Sequence, residues 1–159
     1  MFTGDRSGEW LFEALHRYGF STGPHSPDPD DGLRLLDARI TAVIHCAPPG
    51  NRPAVQEKSA CRPFLVEEIR RGTRLRVVVA LGGVAFQGFL RAWREAGRTA
   101  PKPLPRFGHA AACRLEGGVR LIASYHPSQQ NTFTGRLTRP AFHGVFRDAR
   151  RLLAGAETS

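Results

Sequence analysis

Three short segments hold most of the side chains capable of chemistry. The first is His45-Cys46-Ala47-Pro48-Pro49-Gly50-Asn51, the second Gly82-Gly83, and the third His126-Pro127-Ser128-Gln129-Gln130-Asn131-Thr132. A Gly-Gly turn ahead of a helix leaves backbone N–H groups free to meet a phosphate. Cys46 or Ser128 with His126 has the residue types of a thiol or serine hydrolase, but no nucleophile-elbow pattern surrounds either one. His16, His25, His45, His109 and His143 show no metal-ligand spacing and are expected to be structural.

These segments need a scaffold, and the apolar periodicity supplies one. Trp10, Leu11, Ala14, Leu15 and Tyr18 recur at helical spacing behind Ser7, a candidate N-cap, and stop at Gly19. Residues 23–32 read as a Pro/Asp/Ser loop. A buried strand is expected over Arg39–Ile44, ended by the proline-rich segment, with a helix from about Gln56 to Arg71. Arg76–Leu81 reads as a strand leading through Gly82-Gly83 into a helix with Phe86, Phe89, Leu90 and Trp93 inward. Residues 97–108 form a basic, Pro-rich loop, Gly118–Ser124 is a further strand, and Pro140–Leu153 a last helix. Alternating helices and continuously apolar strands predict an α/β fold, three layers with a mostly parallel central sheet. The reactive segments follow the strands' carboxyl ends, where such sheets bind ligands. One domain over residues 1–155 and a tail over 156–159 are expected.

The chain has 159 residues and a net charge of +9, with 23 Lys plus Arg of which only Lys58 and Lys102 are lysines. That excess attracts polyanions, nucleic acid above all. The abundance of Arg, Ala, Gly and Pro also fits a GC-rich gene. No apolar run approaches a membrane span, and no secretory signal is visible at Met1-Phe2-Thr3-Gly4-Asp5. Three cysteines suit a reduced, cytoplasmic setting better than a disulfide framework. A monomer is expected.

Cys46-Ala47-Pro48-Pro49-Gly50-Asn51-Arg52-Pro53, Leu81-Gly82-Gly83 and the string from Ser124-Tyr125-His126-Pro127-Ser128 to Gly135-Arg136-Leu137-Thr138 resemble the uracil-DNA glycosylase superfamily. More narrowly, the chain is similar to that superfamily's fifth, iron–sulfur-containing family. The long string after Ser124 is the specific part; Arg52 and Ala110, the latter after Phe107-Gly108-His109, are small departures. The resemblance implies a first strand ahead of Phe2, ending in a Gly-Leu-Ala-Pro-type motif, with a Cys-x-x-Cys pair upstream. Neither is in this sequence. A fold with its first strand missing, from a misplaced start or an incomplete gene, is therefore expected.

The resemblance further implies base excision repair, by hydrolysis of the N-glycosidic bond of uracil or other deaminated bases in DNA. His126 would donate to the departing base's oxygen, as an oxyanion-type stabiliser. Asp5 would orient water and steady the sugar's developing positive charge, and Asn51 would read the base edge with its donor and acceptor. Pro48, Pro49, Gly82, Gly83, Ser128, Gln129 and Gln130 match loops that grip the DNA and probe its helix. Arg136 and Arg139 lie beside the last of these and suit phosphates. Cys46 and Cys61 match two thiolate ligands of a 4Fe-4S cluster, which takes four; the complete family has it, and this chain has half the set. Cys113 matches no ligand and is expected to be a small buried hydrophobe. The alternative is an inactive or nucleic-acid-binding remnant of a glycosylase.

Overall fold

The strand Arg120–Ser124 places Leu121, Ile122, Ala123 and Ser124 almost wholly out of solvent, as a strand covered on both faces must. In the computed structural model, which describes residues 5–25, 30, 32–43 and 55–157, the elements run in α/β order. They are α1 (Arg6–Arg17), α2 (Val55–Arg71), β1 (Val77–Leu81), α3 (Gly83–Glu95), β2 (Ala112–Arg114), β3 (Arg120–Ser124), α4 (Gln129–Phe133) and α5 (Arg139–Glu157). The sheet order is β1-β3-β2. None of the helices is long and apolar enough to cross a membrane among the described residues.

The chain falls into two compact units, Met1–Ile40 with Ser124–Ser159, and Thr41–Ala123. In the first, α1 packs on α5. Trp10 meets Phe142 at 6.0 Å and Phe142 meets Phe146 at 5.1 Å between ring centroids, in the tilted and edge-on arrangements aromatic rings prefer. In the second, Leu65, Val66 and Ile69 of α2 and Phe86, Phe89, Leu90 and Trp93 of α3 form one apolar cluster with Ala80, Leu121 and Ala123 of the sheet. The apolar residues of both α1 and α3 recur three and four apart, so each helix buries one stripe.

Two elements depart from the sequence reading. Arg39–Val43, the described part of the expected strand Arg39–Ile44, joins no ladder. A strand exists only as one side of a hydrogen-bonded pair, and apolar content alone does not supply the other side. In the second unit that segment is held by side chains instead: Thr41 Oγ1 donates to Glu68 Oε2 at 2.6 Å, and Val43 lies on Gly88 of α3. Conversely, β2 forms where no element was assigned. Its three residues pair antiparallel with β3, Ala112 opposite Ile122 and Arg114 opposite Arg120, and three residues are too few for a visible alternation. Ala110, just before it, takes the left-handed backbone (φ 61°) that favours glycine.

The seat of Val43 is testable. A Cβ at Gly88 would overlap Val43 Cγ1, and overpacking of this kind costs about 1–3 kcal/mol. Alanine's better helix propensity returns at most about 1 kcal/mol. Gly88→Ala is expected to lower the unfolding free energy in urea, and Gly88→Ala with Val43→Ala to lose less than the two single changes added together. Simple additivity would show that Val43 does not sit on α3.

Candidate active site

Helix α1 begins at Asp5, not at Ser7 as the sequence suggests. Asp5 has an extended backbone (φ −113°, ψ 165°), and its Oδ1 accepts from the Gly8 N–H at 2.7 Å. The carboxylate thus satisfies one of the donors that every helix start leaves open, and its charge opposes the positive end of the helix dipole. Ser7 is thereby released from capping. Its Oγ donates instead to the carbonyl of Pro127 at 2.9 Å, 120 residues away in sequence.

His126 lies just past β3, in a loop braced from both sides. Pro127 is fully buried. Ser128 caps α4, its Oγ accepting from Asn131 N–H at 3.3 Å. Asn131 turns back, its Nδ2 donating to the carbonyl of His126 at 2.9 Å, while its own carbonyl accepts from the Leu137 N–H at 2.9 Å. Leu137 is buried, so the hydrogen-bonded loop is anchored in the core. Ser128 therefore spends its hydroxyl on a helix cap, which leaves it poorly placed to be the nucleophile of a hydrolase.

Partial burial holds the His126 imidazole below the usual histidine range, and the negative charge of Asp5 draws it part of the way back. The ring is therefore neutral at pH 7, with one N–H to donate. Asp5 and His126 belong to the same unit, as do Ser128, Gln129, Gln130 and Arg136. Gln129 and Gln130 are exposed on the first turn of α4. Arg136 is exposed too, its guanidinium 4.5 Å from the centre of the Tyr125 ring. Arg139 is differently employed: it pairs with Glu13 of α1 and lies over Trp10. His143, expected to be structural, is buried with Nε2 3.6 Å from Glu13 Oε1.

Gly82 and Gly83 lie in the other unit. Gly82 is the N-cap of α3 with φ 96° and ψ 161°, a backbone region open essentially to glycine alone. This turn needs Gly82 for its geometry, whatever it binds. Gly83 packs beneath Phe107. Cys61 is buried on α2, and Cys113 is half-buried against the core with its thiol pushed up by burial. Asn51, Pro48, Pro49 and Cys46 lie outside the described residues. Among the described residues no group of three or more His, Cys, Asp or Glu side chains is arranged to hold a metal ion. Cys46 and Cys61 alone do not fill a four-thiolate set, so the residues of this chain do not fit an iron–sulfur cluster without further ligands.

The sequence alone assigns Ser7 a cap and not its bond to Pro127, and it assigns no role to Arg6, Phe133 or the returning amide of Asn131. Asn131 carried a usable signal, since it stands three residues after a serine that precedes a helix, the spacing of a cap. The Ser7 bond carried none, because its partner is distant in sequence.

A neutral, braced histidine lies past a strand end, within the electrostatic reach of the Asp5 carboxylate. The sequence profile of the uracil DNA glycosylase superfamily matches residues 1–150, and the chain belongs to that superfamily. It is 51% identical over 158 residues to a type-5 uracil-DNA glycosylase of Mycobacterium bovis, covering 99% of this chain and 57% of that protein. The type-5 uracil-DNA glycosylase of Mycobacterium leprae is 50% identical over 153 residues, covering 96% of this chain and 65% of the relative. That of Thermus thermophilus is 44% identical over 151 residues, covering 95% and 66%. The chain thus spans 57–66% of the length of these relatives.

The coupling of Asp5 to His126 has a signed consequence. A carboxylate favours the imidazolium, so its removal lowers the histidine pKa. Asparagine caps a helix about as well as aspartate. Asp5→Asn is therefore expected to leave the unfolding free energy nearly unchanged while moving the His126 titration, followed by imidazole NMR, to lower pH. A titration that stays in place or rises would show that the charge of Asp5 does not reach His126.

Proposed function

We propose that this chain carries the catalytic machinery of a base-excision repair enzyme that hydrolyses the N-glycosidic bond of uracil in DNA. The observation that carries the proposal is His126, neutral, partly buried and held by its backbone in a loop tied to the start of α1. Membership of the superfamily and the uracil-DNA glycosylases among the chain's relatives support it. They do not favour the alternative of a non-catalytic remnant.

In this reading the nucleotide is flipped out of the stack and its base edge is held by hydrogen bonds, Asn51 among the donors and acceptors. The bond between C1′ and the base nitrogen breaks, and its electron pair goes to uracil. His126 donates its N–H hydrogen bond to the oxygen where that negative charge gathers. A neutral imidazole suits this, because its remaining N–H can donate without a full positive charge having to be held in a partly buried loop. Water then adds to C1′, and the proton it releases balances the uracil anion. Asp5 supplies the negative charge that steadies the sugar cation and orients the water. Among the described residues, the cap engages Oδ1 of Asp5. Gly82, Gly83, Ser128, Gln129, Gln130 and Arg136, with Pro48 and Pro49, are the residues we assign to DNA contact. Cys46 and Cys61 stand in this reading as two thiolates of a cluster, and no step of the reaction runs through it.

The test is uracil release from a DNA oligonucleotide holding a single uracil. Removing a donor to a developing oxyanion costs about 10²–10³-fold in rate. His126→Ala is expected to lose that much while keeping its unfolding transition. Burial holds the imidazole below the usual histidine range, so His126 stays in one protonation state from pH 8 down to about 6.5 and its contribution to the rate is expected to be flat over that interval. His126→Ala at the full rate would overturn the proposal.

A further inference from the structure

Four arginines in the unit that holds His126 lie over aromatic rings: Arg139 over Trp10, Arg150 over Phe20, Arg136 over Tyr125 and Arg6 over Phe133. Trp10 and Phe20 are each only 5% exposed, so there the arginine closes the core. Phe133 is different, because it is 65% exposed. The guanidinium of Arg6 stands 4.5 Å from the ring centre, and most of the ring still faces solvent.

The position of this pair is fixed from both ends by the candidate site. Arg6 follows Asp5, the cap of α1, and Phe133 ends the helix that Ser128 begins two residues after His126. α4 is short and its start is held by Ser128 and Asn131, so the ring has little freedom to fold back onto the core. A guanidinium against an aromatic ring presents a flat surface that is both apolar and positively charged, and such surfaces suit stacked bases on a phosphate chain. Flipping one nucleotide leaves its neighbour in the strand without a stacking partner.

We propose that Phe133, backed by Arg6, is the surface on which the base adjacent to the flipped nucleotide stacks. The inference rests on the glycosylase reading and makes Phe133 a positioning residue for that reaction, with no part in bond cleavage. Because every base has a π-face, the contact tolerates any neighbouring base and sets affinity for the strand instead of choice of lesion.

The test compares the wild-type chain with Phe133→Ala, Phe133→Leu and Phe133→Trp on oligonucleotides holding one uracil and 2-aminopurine on its 5′ or its 3′ side. Loss of one stacked base weakens binding by about tenfold. The alanine and leucine variants are expected to raise KM by about that factor, with single-turnover rates at saturating DNA within about twofold of wild type. They should also lose the quenching of 2-aminopurine fluorescence that the wild type produces on one of the two sides. Tryptophan should retain both properties. Unchanged KM and quenching in the alanine variant, or a leucine variant equal to phenylalanine, would overturn the stacking role while leaving the glycosylase reading intact. A wild-type chain that releases no uracil would overturn both.

Discussion

The candidate site depends on one long-range constraint, the hydrogen bond from Ser7 Oγ to the carbonyl of Pro127. It joins the first turn of α1 to the loop after β3, across 120 residues of sequence. The same first turn carries Asp5 and Arg6, and the same loop carries His126. With the Asn131 bond to the His126 carbonyl, it leaves the histidine little backbone freedom. An active site that must meet a transition state cannot rely on a mobile loop, because a small misplacement costs orders of magnitude in rate. Asp5 serves this constraint twice, once as the cap that starts the helix and again as the charge opposed to the desolvation of His126.

The arginine-rich composition has a structural side as well. Lysine is a compact, strongly hydrated charge, whereas arginine is planar and can lie flat on a ring. In the unit that holds His126, arginines lie on Trp10, Phe20, Tyr125 and Phe133. Arg150 also donates to the carbonyls of Tyr18 and Gly19, where it satisfies backbone acceptors at the end of α1. Part of the +9 charge thus serves the fold, and the share free to meet a polyanion is smaller than the formal number implies.

How much was legible in the sequence divides along the range of the interactions. The helices α1, α3 and α5 and the strands β1 and β3 come from local apolar patterning, and their ends lie within a few residues of expectation. The string from His126 to Thr138 is legible through its resemblance to a known family, whereas the Ser128 cap and the returning Asn131 amide inside it are seen only in the structure. The identity of the α1 cap was not legible, since Asp5 and Ser7 are both good caps and only the distant Pro127 decides between them. The strand expected at Arg39–Ile44 fails for the same reason: strand formation needs a partner edge, and a single segment carries no record of one.

If Ser7 holds the His126 loop in the position the proposed reaction needs, single-turnover release of uracil by Ser7→Ala will show it. Loss of one hydrogen bond of this kind alters stability by about 1 kcal/mol, so the protein stays folded. On the proposed reading its rate constant falls at least tenfold or so, because a displaced His126 would meet the departing base poorly. A Ser7→Ala chain that releases uracil at the wild-type rate would show that this hydrogen bond does not position His126.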